Sequence, residues 1–295
     1  MAEKLLFIVN PTAGKKRVAG FLSEILQVFC AAGYLPTVLM TERAGHATQL
    51  VQQYGAGSDL IVCAGGDGTL NETISGILSA GLTVPVAYLP CGTTNDLGNT
   101  LGLSRNLVQA AQDAVGGREI SVDIGDFNGR SFVYTASFGA FTKASYDTPQ
   151  SVKNVLGHLA YVLQGVKSLG EIKPIHARIR TDEGEFEGDY IFGSVSNTTS
   201  LAGLITIDKE RVMLDDGKFE LLLADMPLDL IDLSRLLLQV TQAKFGDMLM
   251  LTQSSRVDIE TSENIDWTLD GEFAPGKTSF HIRNLKTAVR IRVPR

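Results

Sequence analysis

The chain has 295 residues, 44% of them hydrophobic and 20% charged, with a formal net charge of −7. That length and apolar share supply one large core or two ordinary ones and exclude a mainly disordered chain. The acidic balance argues against a general nucleic-acid binder, which needs an excess of Lys and Arg to neutralise phosphates.

From residue 4 to 115 the sequence alternates between strand and helix patterns. Strands are expected at 5–9, 37–40, 60–64 and 84–89, and helices near 16–31, 46–54, 70–79 and 104–115. Strands separated by helices imply a doubly wound, mostly parallel sheet with right-handed crossovers, so the four strand exits share one edge. Each exit is small, polar or glycine-bearing: Asn10-Pro11-Thr12-Ala13-Gly14-Lys15, Thr41-Glu42-Arg43-Ala44-Gly45, the stretch around Gly65, and Pro90-Cys91-Gly92-Thr93-Thr94-Asn95-Asp96. Such an edge suits a ligand crevice. Gly14-Lys15 lacks the upstream glycine and the following hydroxyl residue of a Walker loop, so that motif is rejected.

The third exit is the richest. Leu60-Ile61-Val62-Cys63-Ala64 is a continuous apolar run, and it breaks into Gly65-Gly66-Asp67-Gly68 before Thr69-Leu70-Asn71-Glu72 opens a helix with Leu70, Ile74, Ile77 and Leu78 on one face. Asp67 or Thr69 is expected to cap that helix. Glycines let backbone N–H groups approach a ligand, and a helix start adds partial positive charge, so the turn suits phosphate. A tight turn with no ligand is the plainer reading, but one glycine would suffice for it.

After residue 116 the rhythm changes to short strands with glycine and Asx turns. Hairpins are expected at Asn128-Gly129 and at Asp182-Glu183-Gly184, and strands at 219–224, 248–251, 257–260, 267–269, 279–283 and 289–293. The expectation is an antiparallel β-sandwich with two inserted helices, at about 152–169 and 228–244. Those helices are read as core-facing, with a lipid-facing role as the alternative. The domains are expected at 1–125, completed by a returning segment near 285–295, and at 126–284.

Four carboxylates are placed for chemistry: Asp67, Asp96, Asp123 in Val122-Asp123-Ile124-Gly125, and Asp270 in Asp270-Gly271-Glu272. A carboxylate facing a triphosphate is repelled unless a divalent cation intervenes, which argues for Mg²⁺. Taken singly, Asp96 could merely cap a helix and Asp123 could be an ordinary strand residue. His46, His158, His176 and His281 share no ligand spacing and read as packing or surface. Trp267 reads as core, with the acceptor site as the alternative.

The block Gly65-Gly66-Asp67-Gly68-Thr69 resembles the GGDGT signature of the diacylglycerol kinase catalytic domain family, and the resemblance extends over nearly the whole chain. By that resemblance Asn10, Pro11, Thr12, Ala13 and Gly14 are the opening nucleotide loop, and Thr41 is the second-strand threonine. Gly65 to Glu72, with Thr93 and Asn95, complete the ATP site. Asp67, Asp96 and Asp123 would form an aspartate, water and magnesium network beside the phosphates. Asp216 and the carbonyls of Met213 and Lys218 would hold a structural metal. Asp270 would be the general base, supported by Glu272. NAD kinases share the glycine block but lack the combination of opening loop and late Asp-Gly-Glu.

The resemblance implies a lipid kinase that uses ATP and Mg²⁺, with diacylglycerol as the expected acceptor. The alternatives are an NAD kinase, another small-molecule kinase, or a silent nucleotide or lipid sensor. No signal peptide is read in Met1-Ala2-Glu3-Lys4, no apolar run is long enough to span a membrane, and Cys30, Cys63 and Cys91 are too few and too scattered for a disulfide framework. A cytoplasmic enzyme reversibly bound to the inner membrane face is expected, with Lys15, Lys16, Arg17 and Lys167 on anionic phospholipid headgroups. Exposed edge strands could pair into a homodimer.

Overall fold

The computed structural model of the chain describes residues 2–15, 17–93, 95–139, 173–198, 200–201, 205–206 and 213–295. The expected helix at 152–169, together with Lys16 and Lys167, lies outside them. The chain divides into two compact units, Met1–Val122 with Thr287–Arg295, and Asp123–Lys286.

The first unit alternates as its periodicity predicts: β1 (Glu3–Val9), a 3-10 turn (Ala13–Lys15), α1 (Arg17–Ala31), β2 (Tyr34–Met40), α2 (His46–Tyr54), β3 (Leu60–Gly65), α3 (Asp67–Ser79), β4 (Val86–Pro90), α4 (Asp96–Thr100) and α5 (Leu107–Gly116). β1 pairs in parallel with β2 and β3, and β3 with β4. Leu5, Phe7 and Val9 of β1 and Leu60, Val62 and Ala64 of β3 pack in one core with α1 and α5. The intervening Leu6, Ile8, Ile61 and Cys63 are buried too, so both faces are covered and the unbroken apolar runs are explained. The helix expected at 104–115 is α5, started by the Asn106 side chain, which accepts the Val108 and Gln109 N–H groups; α4 is a further short helix that was not expected, and Gly102 (φ +66°) follows its end.

β5 (Arg118–Phe127) leads into the second unit, which holds β6 (Arg130–Phe132), β7 (Thr135–Gly139), β8 (Ile175–Arg180), β9 (Glu185–Ser196), the short pair β10 (Ser200–Leu201) and β11 (Ile205–Thr206), β12 (Phe219–Asp225), α6 (Leu230–Thr241), β13 (Leu249–Ser254), β14 (Arg256–Leu269) and β15 (Glu272–Val293). Within this unit the strands are hydrogen-bonded in the order β13-β12-β9-β7-β14-β15, with β5 and β6 beyond β15, and strands that are not neighbours pack face to face: the Phe132 ring of β6 lies 5.5 Å from that of Phe219 in β12. β7 and β8 lie end to end between β9 and β14: Ala136 to Phe138 and Ala177 to Arg180 face successive stretches of both neighbours. The strands expected at 257–260 and 267–269 are one strand with a register shift between Glu260 and Ile265, and those at 279–283 and 289–293 are also one. Trp267 is fully buried against Phe127, Phe138 and Phe280 and is core.

The end of β15 belongs to the first unit, where Ile291 and Arg292 pair in parallel with Val86 and Ala87 of β4. Both Asx-Gly turns match their chemistry. Asn128-Gly129 (φ 52° and 86°) joins β5 to β6, and Asp270-Gly271 (φ 49° and 82°) joins β14 to β15. Positive φ at both central residues is what a two-residue hairpin requires.

Candidate active site

In the first unit the exits of β1, β3 and β4 are tied together by side chains. Asn10 Nδ2 donates to Thr69 Oγ1 at 3.1 Å, and Asn10 Oδ1 accepts the Thr12 N–H at 3.0 Å. The Asn95 N–H donates to Asp67 Oδ2 at 2.9 Å. Tyr88, an inward residue of β4, donates its hydroxyl to Asn95 Oδ1 at 2.9 Å. Burial, and then the nearby Asp67, push the Tyr88 phenol well above its usual pKa, with Asp96 adding to the effect, so it stays a donor. Asp96 follows Asn95 directly, as the first residue of α4.

Glycine makes the close approach possible. Gly14 has φ +54°, and a Cβ there would run into the Cys91 carbonyl oxygen. α3 begins at Asp67 itself, with Gly66 at its N-cap and no side-chain cap. The expected cap by Asp67 or Thr69 is not made, because the Asp67 carboxylate turns to Asn95 and the Thr69 hydroxyl to Asn10. A helix start without a side-chain cap leaves N–H groups to be satisfied from outside.

Other expected residues sit nearby with more structural tasks. Glu72 accepts the Gly45 N–H at 2.7 Å and the Ala47 N–H at 3.1 Å, which caps α2 and ties the second exit to α3. Leu70 is buried in the core, Asn71 lies within α3, and the Thr41 N–H donates to the Val9 carbonyl. Pro11, Ala13 and Thr93 lie in the exit loops, and Arg17 donates to the Arg105 carbonyl.

In the second unit, Asp270 is only 6% exposed. Its Oδ2 accepts the Val133 N–H at 2.6 Å, and its Oδ1 accepts the Tyr134 and Thr135 N–H groups, each at 3.0 Å. Three fixed donors hold the carboxylate in one orientation over the β6 to β7 connection. Glu272 forms an ion pair with Arg130 at 2.9 Å on the surface.

Asp123 is fully buried, and its Oδ2 accepts the Gly217 N–H at 2.6 Å. The structure thus brings Asp123 to the segment proposed for a structural metal. There Asp216 Oδ1 accepts the Lys218 N–H at 2.8 Å around Gly217 (φ +86°), and Met213 is exposed. Carboxylate and carbonyl oxygens are the donor types that a hard divalent cation takes, but among the described residues no three Asp, Glu, His or Cys side chains gather as a metal site. Tyr88 was missed by sequence reasoning, since an aromatic inside an apolar strand gives no sign that its hydroxyl will meet Asn95.

A parallel α/β sheet whose glycine turn and asparagine-linked loops line its carboxyl edge defines the class: a doubly wound α/β protein, the architecture whose ligand crevices lie at that edge. The diacylglycerol kinase catalytic domain family matches residues 4–127. The chain is 32% identical over 300 residues to a diacylglycerol kinase of Bacillus subtilis (strain 168), covering 99% of this chain and 97% of that protein. It is 30% identical over 298 residues to a diacylglycerol kinase of Staphylococcus epidermidis (strain ATCC 12228 / FDA PCI 1200), covering 100% and 93%. A crystal structure of a diacylglycerol kinase from Bacillus anthracis str. Sterne matches with a TM-score of 0.76 at 23% identity, over 99% of this chain and 97% of that one. A second structure from that organism reaches 0.83 at 24% identity, over 99% and 95%. The two structures speak to the fold. The chain belongs to the diacylglycerol kinase family.

Proposed function

We propose that this protein is an ATP-dependent lipid kinase that transfers the γ-phosphate to the free hydroxyl of diacylglycerol, giving phosphatidic acid. The observation that carries the reading is the linked set Asn10, Thr69, Asp67, Asn95 and Tyr88 around the uncapped start of α3. The exit loops would bind and orient the phosphates through backbone N–H groups, with Gly66, Gly68 and Thr69 nearest the helix start. Mg²⁺ held by Asp67 and Asp96 would neutralise phosphate charge. Phosphoryl transfer asks mainly for positioning and charge neutralisation. A lipid hydroxyl is a weak nucleophile, and Asp270, oriented by three N–H donors, would accept its proton.

Among the described residues no helix is long and apolar enough to cross a membrane. The enzyme would meet its acceptor by reversible docking on an anionic membrane surface from the cytoplasmic side. The test is radiolabelled ATP offered with diacylglycerol, sphingosine, undecaprenol and NAD in parallel. Label in phosphatidic acid above all other products is expected, and label chiefly in the NAD product would overturn the reading.

A further inference from the structure

One face of the second unit's sheet carries a line of polar side chains leading away from Asp270. Gln253 of β13 stands opposite Glu220 of β12, Glu220 opposite Ser196 of β9, and Ser196 opposite Thr135 of β7. The Asp270 N–H closes the line by donating to the Thr135 carbonyl at 2.9 Å. Residues directly opposite in antiparallel strands project from the same face. The adjoining row on that face holds Ser194, Ser137 and Thr268, and the Thr135 and Ser194 hydroxyls lie 3.2 Å apart. The other face is apolar: Leu221, Val195, Ala136 and Leu269, at the intervening positions, all belong to the core.

Glu220 is 3% exposed, Ser196 0% and Thr268 6%. Gln253 Nε2 donates to Glu220 Oε1 at 3.1 Å. Glu220 Oε2, Ser196 Oγ and Thr268 Oγ1 have no hydrogen-bond partner among the described residues. A buried polar atom left without a partner costs stability, and apolar replacements of similar size were open to this face as they were to the other. The two hydroxyls among them, on the face that begins at Asp270, point to a ligand that accepts their hydrogen bonds. Thr135 and Ser137 of β7, between them, are partly exposed, so the face is not sealed.

We propose that this face is the polar subsite for the acceptor, with the Ser196 and Thr268 hydroxyls donating to the ester-bearing glycerol backbone while the free hydroxyl lies toward Asp270. The proposal rests on the lipid-kinase reading. Ester carbonyls only accept hydrogen bonds, and the two hydroxyls supply donors. Ser196 is two strands from Asp270, about 10 Å at the usual strand spacing, which is the reach of one diester glycerol backbone.

The test compares dioctanoylglycerol with dioctylglycerol ether in detergent micelles. Both have the free hydroxyl, and only the first has ester carbonyls. Ser196→Ala and Thr268→Val are each expected to lower the ester-over-ether ratio of kcat/KM about fivefold to tenfold, through KM for the lipid, with KM for ATP unmoved. The melting temperature should stay level or rise, because each change removes a hydroxyl that has no partner. A ratio unmoved in both variants would overturn the subsite, as would a lowered melting temperature with equal losses on both lipids. Wild-type enzyme that labels neither lipid would overturn the kinase reading, and the subsite with it.

Discussion

Asp270 does two things at once. As the first residue of an Asp-Gly turn it accepts φ +49°, which few side chains tolerate, and its two oxygens hold three N–H groups of residues 133–135. Asparagine suits the same turn but offers one acceptor oxygen, so Asp270→Asn leaves at least one buried N–H facing an amide. The variant is expected to lose about 1–3 kcal/mol of stability. Its turnover should also fall about 10²- to 10⁴-fold while ATP binding persists. Thermal melts, ATP titration and rate measurements on one preparation separate the two effects. A lower melting temperature with nearly full turnover would make the carboxylate a turn clamp alone.

At the scale of elements, the first unit uses side chains of one element to finish another. α2 begins after Gly45, which sits at φ +77° with no side-chain cap of its own, and Glu72 of α3 supplies the missing acceptor. A carboxylate at a helix N-terminus also meets the favourable end of its dipole. Glu72→Ala should therefore destabilise the protein by about 0.5–2 kcal/mol in denaturant melts without nucleotide. An unchanged midpoint would show that solvent replaces the carboxylate at no cost. The same logic holds at the β6 to β7 connection, where three N–H groups are satisfied by a side chain more than 130 residues away in sequence.

For the whole molecule, the telling feature is that the last nine residues belong to the first unit. Ile291 and Arg292 cover the edge of β4, Arg290 and Arg292 pair with Glu119, and Arg295 donates to the Gly116 carbonyl. Ile291 is fully buried and Val289 and Val293 nearly so, which makes this strand part of the core and not an appendage. A chain ending at Lys286 would leave β4 as a bare hydrophobic edge, a template for association. Such a truncation is expected to aggregate or to lose its cooperative melt, as followed by size-exclusion chromatography and calorimetry. A monodisperse product with an unchanged melt would contradict this.

The alternation of apolar runs with amphipathic stretches was enough to predict the parallel half, because strands buried on both faces must be apolar throughout and helices must carry a stripe. Turn chemistry was equally local: Asn128-Gly129 and Asp270-Gly271 announce positive φ in two adjacent letters. The partners of side chains were another matter. Nothing local tells that Glu72 will cap α2, that Tyr88 will reach Asn95, that β7 and β8 will share one line between β9 and β14, or that Glu220, Ser196 and Thr268 will share a face with Asp270. Those pairings depend on strand register and helix packing between residues far apart in the chain, and only the folded backbone brings them within the few ångströms over which a hydrogen bond acts.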